Sequence, residues 1–304
     1  MWPTLLQPWP DVVSLIDRAE RQGWHGVWLA DHFMGDGGFF GPPEMPCLEA
    51  TAALVAAAER TSRVRLGTLV LSASYRHPAV LANWAATVDQ ISQGRLTLGI
   101  GAGWQANEHE QYGIALRPPK QRVDAFHEYI TVLDGMLRCP PASFTGEYFT
   151  VTEALCSPAP VQSRLPLLMG TKGPRMLRIA ASFADMWNMW GTVDEVAAVS
   201  AQLDSICVQH GRNPSSIMRS TQALIHFADS ADELSRFTSS VFPRPVVGGT
   251  TQQVIDHLVR YRDIGVDEFI VPDIRMGSIA ERDETYDRLA REVISEIGEI
   301  RPSG

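Results

Sequence analysis

Short apolar runs rich in branched residues alternate with amphipathic stretches of helical period along nearly the whole chain. That alternation constrains the fold more than any other feature, because strands separated by helical crossovers must pair in parallel. The first helix starts at Pro10-Asp11, turns Val12, Val13, Leu15, Ile16 and Ala19 to one side, and stops before Gly23. A strand follows over Gly26–Ala30 and runs into Asp31-His32-Phe33; a Gly/Pro-rich loop from Gly35 to Pro46 leads to an alanine-rich helix, Leu48–Glu59, and to a strand, Val64–Leu71. Pro78 opens the next helix, where its missing N–H is harmless, and Arg95–Ile100 is another strand. Past a helix at Arg122–Leu137 the rhythm changes, and Phe144–Val151 reads as an inserted β-hairpin, near residues 143–152. The rhythm resumes with strands at Leu165–Met169, Met186–Met189, Met218–Phe227 and Glu268–Pro272, helices at Pro174–Phe183 and Asp194–His210, and a terminal helix near Ala280–Ile300.

Counting a short, irregular first strand at Trp2–Leu6, eight strands each with a helix predict an α/β chain of the (β/α)8 TIM-barrel type, one domain over residues 1–304 with insertions. Residues 228–250 read as loop around Pro243 and Pro245, a lid over the barrel mouth. A chain of 304 residues would also allow two domains, but the unbroken alternation favours one barrel.

Composition narrows the partners. Thirty-five acidic residues against 26 basic ones, a net charge of -9, argue against nucleic acid and anionic membrane, so a small-molecule substrate is expected. No apolar stretch is long enough to span a bilayer, and Met1–Pro10 lacks the charge and apolar run of an export signal, so a cytoplasmic location is expected. Cys47, Cys139, Cys156 and Cys207 are widely separated, which predicts reduced thiols and no metal centre. Lys120 and Lys172 are the only lysines, leaving little room for Schiff-base chemistry.

Barrel chemistry sits at the carboxyl ends of the strands. The polar residues there are Asp31 and His32; Ser72, Ser74, Tyr75, Arg76 and His77; Asn107 and Glu108; Thr171 and Lys172; and Asp273 and Arg275. His32 is the best catalytic candidate, since an imidazole exchanges protons near neutral pH; the alternative is a histidine that merely holds a loop. His77 precedes Pro78 and reads as a helix N-terminal residue. The run Gly99-Ile-Gly-Ala-Gly103 suits close backbone approach, and Trp104 stands where a dinucleotide fingerprint needs glycine. Gly170-Thr-Lys-Gly-Pro174 joins a strand to a helix N-terminus with a lysine beside it, a setting for a cofactor phosphate.

Several segments together resemble the bacterial luciferase-like monooxygenase superfamily: Gly23–Phe33, Tyr75–Ala79, Asp89–Leu96, Gly99–Trp104, Gly170–Pro174 with Ala184–Asn188, and Gly265–Phe269, in that order and within about residues 10 to 275. The details resemble its F420-dependent oxidoreductase branch, with FMN-dependent monooxygenases as the alternative and a non-catalytic flavin-binding barrel as a third reading. The resemblance implies hydride transfer between reduced coenzyme F420 and a small organic substrate, with His32 beside the reactive ring. It implies cofactor contacts at Asp31, Ser72, Ala73, Trp104, Asn107, Met169, Gly170, Thr171, Lys172 and Gly173, and a bulge at Leu71–Ser74 with a cis peptide at Ser72-Ala73. Trp104, Trp190, Phe39 and Phe40 would be the apolar walls. A homodimer and a separate cofactor-reducing enzyme are further implications. One departure stands out: the sugar-phosphate dehydrogenases of the family carry a catalytic carboxylate after G-x-G, and this chain has Trp104 there, which speaks against alcohol oxidation of that type.

Overall fold

The structure is a computed structural model that describes residues 1–297. In chain order its elements are α1 (Trp9–Gln22), β1 (Gly26–Leu29), α2 (Ala50–Arg60), β2 (Arg65–Thr68), β3 (Leu71–Ser72), α3 (Pro78–Ile91), β4 (Leu96–Gly101), α4 (Ala106–Gln111), α5 (Pro119–Arg138), β5 (Ala142–Thr145) and β6 (Thr150–Ala154). They continue with β7 (Leu167–Gly170), α6 (Pro174–Phe183), β8 (Met186–Trp190), α7 (Val193–Gln209), β9 (Met218–Gln222), β10 (Leu224–Phe227), α8 (Ala231–Val241), β11 (Val246–Gly249), α9 (Thr251–Asp263), β12 (Glu268–Ile270) and α10 (Ile279–Arg288). The main sheet runs β1-β2-β4-β7-β8-β9-β12, all parallel, with β3 paired to β4. The N-terminal segment closes the ring: Trp2 bridges Pro272 in parallel and donates its N–H to Val271 O (2.7 Å), while Trp28 donates to Met1 O (3.0 Å). The expected strand at Trp2–Leu6 is thus a single bridge, because Pro3 has no N–H to extend a ladder and Thr4 N–H goes to the Asp273 carboxylate (2.9 Å).

Helix α1 shows how directly the pattern becomes structure. Val12, Leu15, Ile16 and Ala19, at the spacing of one helical face, are buried, and Gly23 ends the helix in the left-handed region with its N–H on Ala19 O. The β5–β6 pair is antiparallel and packs along α5, outside the barrel wall. Three stretches differ from expectation; the Met218–Phe227 run is two strands, β9 in the main sheet and β10 paired with β11 instead. Residues 228–250 are not loop: α8 and β11 lie there, β11 pairing in parallel with β10. Leu234, Phe237 and Val241 form a short stripe at helical spacing, but only Val241 of α8 is buried and Pro243 and Pro245 close behind it weigh the segment toward loop. The Val64–Leu71 run is likewise two strands, interrupted at Leu69-Val70. The terminal helix starts at Ile279 and passes through a π-helical turn at Leu289–Val293 to Ile297; residues 298–300 of the expected helix lie outside the described residues.

The amino-terminal face of the barrel is tied together by polar groups that serve stability. Arg95 spends its guanidinium on the carbonyls of Ala58, Thr61, Val64 and Ser92 and on Thr61 Oγ1, all at 2.7–2.9 Å. The buried Asp89 carboxylate accepts from Gln162 N and Nε2 (2.9 and 2.8 Å). Glu20 accepts from the backbone N–H groups of Ser62, Arg63 and Val64 at 3.1–3.3 Å. Burial pushes the Glu20 carboxyl up, but the N–H groups of Val64, Ser62 and Arg63 and the Ser62 hydroxyl outweigh it and hold it at about 2. A carboxyl held below its unfolded value stabilises the fold above that value, and the benefit fades as pH falls through the folded one. Glu20→Gln is therefore expected to cost about 1–2 kcal/mol at pH 7. Denaturation of both proteins between pH 7 and 2 should show the difference closing below about 4.5; a pH-independent gap would contradict it.

Candidate active site

A cavity of about 460 Å³ opens at the carboxyl ends of the strands, within the usual size for a small-molecule site. Of the residues singled out in the sequence, Asp31, His32, Ser72, Trp104, Gly170, Thr171 and Lys172 line it. Ala73, Asn107, Met169 and Gly173 do not. Ala73 borders a separate, much smaller hollow with Phe126 and Tyr129. Asn107 donates through Nδ2 to Gly35 O (2.9 Å), and Gln105 does the same to Met34 O (3.0 Å), so α4 holds the Gly/Pro-rich loop. Met169 is wholly buried in the core.

His32 follows β1 and carries the only imidazole on the cavity wall among the described residues. Its Nδ1 lies 3.0 Å from Glu108 Oε1, on α4, while Nε2 has no protein partner among the described residues. Glu108 is 1% exposed and also accepts from Phe33 N–H (2.9 Å) and from the Tyr75 hydroxyl. Burial pushes the Glu108 carboxyl up, but the bonds from His32, Tyr75 and Phe33 together hold it below the ordinary value. A carboxylate only accepts, so it fixes the neutral imidazole with its proton on Nδ1 and leaves Nε2 as a base toward the cavity. Burial, then the bond to Glu108, pushes the Tyr75 hydroxyl well above its usual value, so it stays a donor. The nearby Cys47 thiol, pushed up to about 12 by burial and by the Glu108 and Asp31 charges, bonds His32 O (3.0 Å) and is no nucleophile.

Asp31 has a different task from its neighbour. Its side chain is fully buried, takes both arms of Arg76 (2.6 and 3.1 Å) and accepts from Ser72 N–H (3.0 Å), and Arg76 continues to Glu49 (2.5 Å). The carboxylate therefore pins β3 against β1. His77 caps α3, accepting from Ala79 N–H (3.2 Å).

The cavity floor comes from Leu69, Val70, Leu71 and Ser72 with Gly101 and Gly103. The non-proline cis peptide is at Leu69-Val70, not at Ser72-Ala73. The later pair is held in regular register, Ser72 opposite Gly101 and Ala73 N–H on Gly101 O (2.9 Å), so the departure from the ladder falls before it. The alternate glycines answer this floor: a Cβ on Gly99 would stand 1.8 Å from Thr68 O, and one on Gly103, at φ 80°, 2.6 Å from Ser72 Oγ. At Gly99 and Gly103 the missing side chain lets the backbone pack this closely.

At the far side, β7 ends in Gly170 and α6 begins at Pro174 with no side-chain cap. Thr171 N–H is taken by Asn188 O (3.0 Å) and Thr171 O by Trp187 Nε1 (2.7 Å), but the N–H groups of Lys172, Gly173, Arg175 and Met176 have no protein acceptor among the described residues. A Cβ on Gly173 would meet nothing within 4 Å. Open donors, a positive helix end and Lys172 make an anion cradle. The walls are aromatic: Phe40 stacks on His32 (5.9 Å) and Trp104 meets it edge-on (5.6 Å), while Trp190 packs on Trp2 (5.7 Å).

The luciferase-like monooxygenase model matches residues 2–246. The chain belongs to the luciferase-like monooxygenase family. Among its luciferase-like relatives, an F420-dependent glucose-6-phosphate dehydrogenase of Amycolatopsis mediterranei is 33% identical over 179 residues, 58% of this chain and 51% of that protein. The pyrimidine monooxygenase RutA of Allorhizobium ampelinum is 28% identical over 232 residues, 73% of this chain and 60% of that protein. The chain thus spans only about half to three-fifths of these relatives. An F420-dependent secondary alcohol dehydrogenase, solved with an F420-acetone adduct, superposes with a TM-score of 0.82 at 20% identity, covering 98% of each chain, and establishes the TIM-barrel fold.

Sequence reasoning placed Glu108 and Tyr75 at strand ends without a role; Glu108 meets His32 across 76 residues of chain and Tyr75 across 33. Gln222 and Arg244 on the cavity wall carried no signal in the sequence, and Asn188 only that of closing the Ala184–Asn188 motif. Long-range ¹H–¹⁵N spectra at pH 8.5 should show His32 protonated at Nδ1 in the wild type and a tautomer mixture in Glu108→Gln, with a loss of about 1–3 kcal/mol in stability. An unchanged tautomer would show that Glu108 does not set the ring.

Proposed function

We propose that this chain is an F420-dependent oxidoreductase that transfers a hydride between the reduced deazaflavin and a small organic substrate, with His32 handling the proton. The observation that carries the reading is the His32–Glu108 pair, which leaves one imidazole nitrogen facing a cavity whose other end is an anion cradle. The residues present fit a phosphate-bearing planar cofactor, because the N–H groups at the start of α6 are open and Lys172 adds the charge. When bound, the deazaflavin supplies a two-electron hydride carrier.

Every other contribution comes from the protein. The Lys172 side chain and the N–H groups of Lys172, Gly173, Arg175 and Met176 would hold the phosphate, and the Leu69–Ser72 floor with Gly101 would support the ring. His32 Nε2 takes or returns a proton at the substrate atom that gains or loses charge, and buried Glu108 stabilises the imidazolium that results. Asp31 and Arg76 act at one remove by fixing β3. Phe40, Trp104 and Trp190 exclude water and present flat surfaces to a substrate. The protein would depend on a separate enzyme to reduce its cofactor, and we place it in the cytoplasm as a homodimer. The same cradle would accept FMN, and the monooxygenase relatives make flavin-dependent oxygenation the second reading.

Fluorescence titration of the purified protein with F420 and FMN separates the two: saturable binding of F420 tighter than FMN is expected, and the reverse order overturns the proposal. Lys172→Met should weaken cofactor affinity about ten- to a hundredfold. His32→Ala should bind cofactor normally yet slow turnover about 10²- to 10⁴-fold; normal turnover would remove His32 from the chemistry.

A further inference from the structure

The cofactor reading leaves one end of the cavity unexplained. Arg244 reaches it from the segment between α8 and β11, with its guanidinium carbon 4.8 Å from the ring of Phe39, 5.5 Å from Phe40 and 5.1 Å from Trp190. These rings attract the cation but offer no acceptor to its N–H groups. Among the described residues no carboxylate lies within ion-pair distance of it and no hydrogen bond engages its side chain. The carboxylates on the cavity wall are already used, Asp31 by Arg76 and Glu108 by His32, Phe33 and Tyr75. Asp36 acts on Arg244 only from beyond ion-pair range.

A second observation points to a ligand at the same cavity. Gln222, at the end of β9, is 3% exposed and lines it, yet Oε1 has no partner and its amide makes no hydrogen bond to the described residues. Trp2, 4% exposed and also on the wall, has an Nε1–H with no partner among the described residues. Buried polar atoms are normally satisfied, so an unpartnered acceptor and donor on two residues of the cavity wall, with a free guanidinium on the same wall, mark an incomplete site. Around them Phe40, Trp104, Trp190, Met176 and Met189 give an apolar, largely flat lining.

We infer that the substrate is a flat, mostly apolar organic acid, its carboxylate paired with Arg244 and a second polar group hydrogen-bonded by Gln222 and Trp2. A planar carboxylate matches the guanidinium fork, and a single cation there balances one negative charge better than the two of a phosphate. The inference rests on reading this cavity as the hydride-transfer site, with Lys172 serving the cofactor and Arg244 the substrate.

Binding of benzoate, cinnamate and 4-hydroxycinnamate, each against its neutral amide, tests it by calorimetry on both the ligand-free and the F420-loaded protein. At least one acid should bind saturably and at least tenfold tighter than its amide. Arg244→Met should abolish that preference while leaving amide and F420 affinities unchanged, and Arg244→Lys should restore part of it; Gln222→Leu should weaken acid and amide alike, severalfold. Equal binding of acid and amide, no saturable binding of any acid, or an Arg244→Met protein that loses F420 affinity but keeps the acid preference would overturn the inference. Failure of the cofactor reading would appear separately, as no F420 binding to the wild type while the ligand-free acid titrations still read out.

Discussion

The Glu108 carboxylate is the interaction on which the site depends. It is almost wholly buried, and three donors from two other strand ends converge on it: His32, the Phe33 N–H and the Tyr75 hydroxyl. A charge in that position is tolerable only with all of them present, so the pairing fixes the β1 end, the β3 end and α4 relative to one another. The same bond orients the imidazole. Stability and chemistry are thus linked through one residue, and the adjoining Asp31–Arg76 pair repeats the device one layer out.

The two faces of the barrel divide the labour. At the amino-terminal face Glu20, Asp89 and Arg95 spend their charges on neighbouring backbone and side-chain groups of the barrel. At the carboxyl-terminal face donors remain open at the start of α6, and the side chain of Arg244, Gln222 Oε1 and Trp2 Nε1 have no hydrogen-bond partner among the described residues. The contrast explains why motifs of the same family serve different ends: Asp89–Leu96 builds the barrel, whereas Asp31-His32 and Gly170–Pro174 face the cavity side.

Much of this was legible in the chain. The spacing of Val12, Leu15, Ile16 and Ala19, the αL stop at Gly23 and the proline starts of α3 and α6 are local signals, and local signals survive folding. The break at Leu69-Val70 was not legible, since Thr68-Leu-Val-Leu71 reads as an unbroken strand end with no glycine or proline to mark where it leaves the ladder. Residues 228–250 looked like loop because Pro243 and Pro245 outweighed the short Leu234, Phe237 and Val241 stripe of α8. The role of Glu108 stayed hidden for another reason: its partners are distant in sequence, and a strand-end glutamate looks the same whether it meets a histidine or solvent. Arg244 was equally silent, a lone arginine between two prolines whose aromatic neighbours arrive from other strand ends.

The central claim is that one cavity places a deazaflavin ring on the Leu69–Ser72 floor, its phosphate at the start of α6 and His32 at its reacting edge. A crystal structure of the protein grown with F420 tests this most directly. The account predicts the ring against Val70 with His32 Nε2 facing it and the phosphate on Lys172 and the N–H groups up to Met176; a ring or phosphate bound elsewhere, with His32 turned away from Glu108, would contradict it.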